Sequence, residues 1–154
     1  EDGTLLATRG EVPDDPDFTV PFGVANILRE GTDVTVVAIA GAVPHAVAAA
    51  EEMAKEGVSV EVLDPRTLVP LDKNAILNSV GKTGRLVVAD PAAKVCSAAS
   101  EIMSIVGEEA FWDLQAPMQK VASLQVHIPF TPSLEKLVYP TKDKIVEAIK
   151  KTMG

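Results

Sequence analysis

Aromatic rings are scarce in this chain: four Phe, one Trp and one Tyr in 154 residues. Any core must be filled by Val, Ile, Leu and Ala, and the 47% hydrophobic content is enough for one domain of this length. A single cysteine, Cys96, excludes an internal disulfide and fits a reducing compartment. No apolar run approaches the roughly 20 residues that a membrane-spanning helix needs. The start carries no basic, apolar, small-residue leader. It opens on Glu1-Asp2-Gly3 without an initiator Met, which reads as a mid-protein or processed beginning. Positive charge is also in short supply, with 14 Lys and Arg against 22 Asp and Glu. The imbalance is concentrated: Glu1, Asp2, Glu11, Asp14, Asp15 and Asp17 face only Arg9 in the first 17 residues. Such an acidic tail argues against nucleic acid and anionic membranes as partners. It suits a solvated linker or contact with a basic partner.

What is present is a regular alternation. Residues 1–21, with Pro13, Pro16 and Pro21, read as an acidic linker or arm, and 22–154 as the domain. Val24 to Leu28 suits a short edge strand. The nearly unbroken apolar run Val34 to Ala40 suits a strand covered on both faces. Val43, Val47, Ala50 and Ala54 then recur at helical spacing up to Gly57. The cycle repeats with a strand at Val58–Leu63, a helix at Leu71–Val80 stopping near Gly81, and a strand at Arg85–Ala89. A long helix over Ser97–Leu114 follows, bent or divided at Gly107. A strand at Met118–Ala122, a loop from Ser123 to Pro132, and a last helix capped by Thr141 close the chain. Strands alternating with helices predict a three-layer α/β/α sandwich with a mostly parallel sheet of about five strands.

The run Asp64-Pro65-Arg66-Thr67-Leu68-Val69-Pro70-Leu71-Asp72 follows a strand and precedes a helix. Its two prolines stiffen the connection. Its acid–arginine–acid pattern can hold the connection through charge-assisted hydrogen bonds.

Ligand sites in open α/β sheets lie beyond the carboxyl ends of the strands, where Gly41, Ala42, Asp64, Asp90 and Ser123 fall. Asp64 and Asp90 follow two successive strands and could flank a divalent cation, or Asp64 could pair with Arg66 or accept from loop amides. Gly41-Ala42-Val43 could place an anion at a helix start, or form a plain tight turn, since the Gly-x-Gly-x-x-Gly spacing is missing. His45 reads as a surface residue and His127 as a loop residue open to a partner chain. Cys96 reads as a small packing residue ahead of a helix, and Ser97 and Ser100 as caps or surface, with no Gly-x-Ser-x-Gly elbow. From the residues alone no catalytic constellation emerges.

From Pro21-Phe22-Gly23-Val24-Ala25 onward the order of motifs resembles one family. It continues with Arg29-Glu30-Gly31-Thr32-Asp33, Glu61-Val62-Leu63-Asp64-Pro65-Arg66-Thr67-Leu68-Val69-Pro70-Leu71-Asp72 and Ser79-Val80-Gly81-Lys82-Thr83-Gly84. Leu114-Gln115-Ala116-Pro117 and Pro129-Phe130-Thr131-Pro132-Ser133-Leu134-Glu135 complete the series. The series resembles the C-terminal domain of the β subunit of thiamine-diphosphate-dependent 2-oxo acid dehydrogenases, which has the transketolase C-terminal-domain fold. The resemblance implies that thiamine diphosphate and Mg²⁺ are held elsewhere, between an α subunit and the first β-subunit domain. This stretch is then expected to carry no catalytic, cofactor-binding or metal-ligating residue. Its expected partners are a dehydrogenase α subunit, a second β subunit and the subunit-binding domain of the acyltransferase. The docking candidates are Gln115, Gln119, Phe111, Trp112, Phe130 and Tyr139; Asp64, Arg66, Asp72 and Asp90 would be structural rim residues. Bacterial cytoplasm and mitochondrial matrix both fit. The competing reading is a stand-alone nucleotide- or anion-binding module built on Gly41–Val43 and Asp64. Relatives often carry an acid where Gln115 stands, and Asp-Glu-Ala where Asp90-Pro91-Ala92 stands, so substrate subtype and docking strength are open.

Overall fold

The computed structural model describes residues 5–154. After a single 3-10 turn at Leu5–Ala7, the arm runs without regular structure into the first strand. Five strands follow: β1 (Asn26–Arg29), β2 (Val34–Ala38), β3 (Val60–Asp64), β4 (Leu86–Ala93) and β5 (Gln119–Ser123). The helices between and after them are α1 (Ala42–Lys55), α2 (Lys73–Thr83), α3 (Ala98–Glu109), α4 (Pro132–Val138) and α5 (Lys142–Met153). The sheet order is β1-β3-β2-β4-β5; β1 is antiparallel to β3, and every other pair is parallel. The expected mostly parallel five-stranded sandwich is what forms.

Strands β2 and β3 and the first half of β4 are buried on both faces, which is why they read as continuous Val, Leu and Ala runs. On one face Ala42, Ala46, Ala49, Ala50 and Met53 of α1 pack with Ile145, Val146 and Ile149 of α5 over Val36, Val62 and Val87. Ile76 and Val80 of α2 and Ile102 and Val106 of α3 cover Val37, Leu63 and Val88 on the other. The alanine stripe of α1 lets that helix approach the sheet closely. Gly31 makes a similar approach possible at the edge: a Cβ there would lie 2.2 Å from the Glu61 nitrogen and the Val60 carbonyl carbon.

Four local expectations change. The second helix starts at Lys73 and passes Gly81 to end at Thr83; Gly84, at φ +67°, takes the left-handed cap instead. A helical glycine costs only about 1 kcal/mol, and the turn beyond it is held by side-chain bonds described below. The third helix does not reach Leu114. It runs unbroken through Gly107 to Glu109, and a separate 3-10 turn covers Phe111–Asp113. Strand β4 continues past Ala89 through Pro91, where its register against β5 shifts between Asp90 and Ala93, a place that tolerates a residue without N–H. Helix α4 lies in a segment for which no element is predicted; it is too short for a clear period, and of its apolar Leu134, Leu137 and Val138 only Val138 is buried.

Candidate functional site

The carboxyl ends of β2, β3 and β4 form the rim where an α/β ligand site is expected. Asp64, Arg66, Asp72 and Asp90 all sit there, and the three carboxylates are turned to backbone amides. Asp64 Oδ1 accepts from the Arg66 amide at 2.9 Å. Asp72 caps α2 by accepting from the Ala75 amide at 3.1 Å, while its other oxygen takes the Ala25 amide at 2.9 Å. Thr67 adds a second tie, accepting from the Gly23 amide and donating to the Pro70 carbonyl. The Pro65–Pro70 loop, with a cis Val69–Pro70 bond, is thus pinned to the segment that feeds β1. The expected acid–arginine–acid lock is corrected in one respect. The two acids act on amides, and Arg66 takes part in no salt bridge among the described residues.

Asp90 is buried, and its two oxygens accept from the Ala92 amide at 2.8 Å and the Ala99 amide at 3.0 Å. It caps α3 in place of Ser97, whose hydroxyl is buried and makes no bond among the described residues. β2 separates the strand of Asp64 from that of Asp90. No group of three or more His, Cys, Asp or Glu able to hold a metal ion occurs among the described residues. At the turn after β2 the Ala42 amide donates to Ile39 and the Val43 amide to Ala40. The two amides of this helix start that could meet an anion are therefore already committed. His45 is exposed as expected, as is His127. Cys96 is exposed at φ +54°, which corrects its reading as a packing residue. Ser123 is buried and donates to the Pro91 carbonyl.

A groove of 590 Å³ opens beside this rim, lined by Leu28, Val43, Val47, Pro65 and Leu68 together with Leu5 of the arm. A shallower one of 290 Å³ lies against Leu124, Val126 and His127.

The strongest polar cluster lies at the opposite, amino end of the strands and was not singled out from the sequence. Glu61 of β3 is 1% exposed. Its carboxylate accepts from Ser79 Oγ at 2.5 Å, from the Gly31 amide at 3.3 Å and from Lys82 Nζ. Lys82 also reaches Glu30 at 3.1 Å. Thr35 Oγ1 joins Ser79 Oγ at 2.7 Å and Thr83 Oγ1 at 2.8 Å, so a chain of hydroxyls runs from Glu61 to the end of α2. Burial pushes the Glu61 pKa up, but the bonds from Lys82, Ser79 and Gly31 outweigh it and hold the carboxyl below its ordinary 4.5. Lys82 is shifted up in turn, chiefly by its bond to Glu61. A glutamate in a strand reads as solvent-facing, so only its register opposite Thr35 could have revealed this site.

The six docking candidates divide between the two ends. Phe111 and Trp112 form an edge-to-face pair with ring centres 5.1 Å apart, and Trp112 is 93% exposed. They precede β5, near the cap of α2, where the Gln115 amide donates to the Gly84 carbonyl at 2.8 Å. Gln119 starts β5 and donates to the carbonyls of Pro117 and Met118. Phe130 and Tyr139 lie beyond the other end of β5; Tyr139 accepts from Lys144 Nζ, and Phe130 is fully exposed. Around Phe130 the chain leaves Leu124, Val126, Ile128, Leu134 and Leu137 exposed as well.

Comparison with known proteins agrees with this geometry. The family model "Transketolase, C-terminal domain" matches residues 23–145. The chain is 42% identical over its full length to the acetoin:2,6-dichlorophenolindophenol oxidoreductase subunit beta of Bacillus subtilis, spanning 45% of that protein. It is 46% identical over 95% of its length to the pyruvate dehydrogenase E1 component subunit beta of Leifsonia xyli, spanning 43% of it. A solved split-gene transketolase, an inactive beta4 tetramer, matches with a TM-score of 0.77 and 28% identity, over 94% of this chain and 47% of that one. The chain thus spans somewhat less than half of the proteins it matches. It belongs to the transketolase C-terminal-domain family.

Proposed function

We propose that the chain is the subunit-assembly and docking domain of the β subunit of a thiamine-diphosphate-dependent 2-oxo acid dehydrogenase. The observation that carries this reading is where its large apolar side chains lie. A sheet buried on both faces leaves Leu124, Val126, Ile128, Phe130, Leu134 and Leu137 exposed along one stretch of chain, and Phe111 and Trp112 exposed at the other end of the strands. Clusters of this kind mark contact surfaces on proteins of this size. The likeness over the whole chain to acetoin- and pyruvate-type β subunits supports the same reading. In such an enzyme the decarboxylation chemistry belongs to thiamine diphosphate and Mg²⁺ held by other domains. This domain's part is to bring subunits together. The 124–137 stretch would face the α subunit or a second β subunit. The Phe111–Gln119 end, with Glu108, Glu109 and Asp113 beside it, would face a basic surface on the acyltransferase subunit-binding domain.

Sedimentation of the intact gene product with a dehydrogenase α subunit tests this. A heteromeric complex that decarboxylates a 2-oxo acid is expected. A protein that binds neither the α subunit nor the acyltransferase domain contradicts it.

A further inference from the structure

The last turn of α2 connects the buried Glu61 cluster to the segment of exposed aromatics. On its inner side Lys82 and Ser79 grip the buried carboxylate of Glu61, and Thr83 is bonded to Thr35. On its outer side Gly84 carries the segment that holds the exposed aromatics. The Gly84 carbonyl receives the Gln115 amide at 2.8 Å, and the Gln115 side chain covers Gly84 so closely that a Cβ there would lie 2.7 Å from its carboxamide. Asp113 of the 3-10 turn lies against Gly81, 3.7 Å from where its Cβ would be. Among the described residues Lys82 is the only cation on Glu61, and its side chain is 40% exposed, so it spans the interior and the surface of this turn.

We propose that Lys82 is a positioning residue for the Phe111–Gln115 face: its bond to Glu61 fixes the last turn of α2, and that turn fixes the segment presenting Phe111, Trp112 and Gln115. Without the Lys82 charge, Glu61 keeps only Ser79 and the Gly31 amide as donors, and a buried carboxylate so under-supplied draws water toward itself through the α2 end. The turn loosens, and the Gly84–Gln115 bond opens with it. The core on the α1 and α5 side takes no part. The positioning role stands on the contacts above; its consequence for docking rests on the function proposed in the preceding section.

Amide hydrogen exchange in the intact protein separates a local role from a merely structural one. In Lys82→Met the Gln115 and Gly84 amides should exchange about tenfold faster relative to the Val37 amide of the central strand, because local opening is distinct from global unfolding. Lys82→Arg should restore them. Lys142→Met removes a lysine of equal exposure on the other face, paired with the surface carboxylate of Glu52, and should leave the Gln115 amide unchanged. If Lys82→Met does not fold, Glu61→Gln, which removes the same charge attraction, takes its place. Equal acceleration at Gln115 and Val37, or an equal effect from Lys142→Met, overturns the proposal. Binding of the acyltransferase subunit-binding domain, measured on the same variants, addresses docking separately. Selective loosening of Gln115 with weakened binding supports both ideas. Selective loosening in a protein that binds no such domain even as wild type upholds the positioning role and overturns the docking reading.

Discussion

The two ends of the sheet use their polar residues in opposite ways. At the carboxyl end, where α/β proteins generally hold ligands, Asp64, Asp72 and Asp90 accept from backbone amides and serve as caps and turn braces. The groove beside them is lined mostly by apolar side chains, with Arg66 at its edge. At the amino end a buried carboxylate accepts from a half-exposed lysine, an amide and the first of three linked hydroxyls, and the exposed aromatic pair lies at the same end of the strands. An acid at a strand end is therefore no sign of chemistry by itself. What its oxygens accept decides its role, and here they accept from the chain that built them.

The largest expected effect breaks the amino end. Gly31→Ala would drive a Cβ into the backbone of β3 at 2.2 Å, a contact that no side-chain rotation relieves. A loss of about 3 kcal/mol or more is expected, read as a lowered urea midpoint at unchanged slope. Glu61→Ala removes the acceptor shared by Ser79, Lys82 and Gly31 and should cost about 2–4 kcal/mol in the same assay. At the carboxyl end, Asp90→Ala loses the cap of α3 and should cost about 1–2 kcal/mol, with Asp90→Asn milder because one acceptor oxygen remains.

Acidification sharpens the contrast. Because the Glu61 pKa is held below 4.5 in the folded state, its stabilising contribution is complete above that value and disappears as pH falls through the lowered one. Stability should therefore decline less steeply below pH 4.5 in Glu61→Gln than in the wild type, a difference that acid titration followed by circular dichroism would show. Glu52 is shifted the same way by its bond to Lys142, but it lies at the surface, so Glu52→Gln should change the acid limb less. The smallest effect on stability, within about 0.5 kcal/mol, is expected for Phe130→Ser, since that ring is fully exposed.

Much of this architecture is legible in the sequence because it rests on pattern. The apolar runs of β2, β3 and β4 and the Ala stripe of α1 declare a doubly covered parallel sheet before any coordinates exist. Thr141 shows its role as a cap, and its side chain does accept from the Lys144 amide. What escapes has no one-dimensional signature. Gly81 looks like a helix stop, yet the turn beyond it is held by Lys82 and Thr83 through residues 21 and 48 positions away. Glu61 resembles any polar residue in a strand until the register sets it beside Ser79 and Lys82. The docking candidates stand out as aromatic or amide side chains in a chain short of rings. Their division between the two ends depends on which side of β5 each one falls.

The central claim is that this fold presents contact surfaces in place of a catalytic rim. Analytical ultracentrifugation of the intact gene product with a dehydrogenase α subunit tests it most directly, run for the wild type and for a Phe130→Ser, Leu137→Ser double variant. The account predicts a heteromeric species for the wild type and smaller or dissociated, still folded species for the variant. Identical sedimentation of the two proteins, whether both associate or neither does, would contradict it.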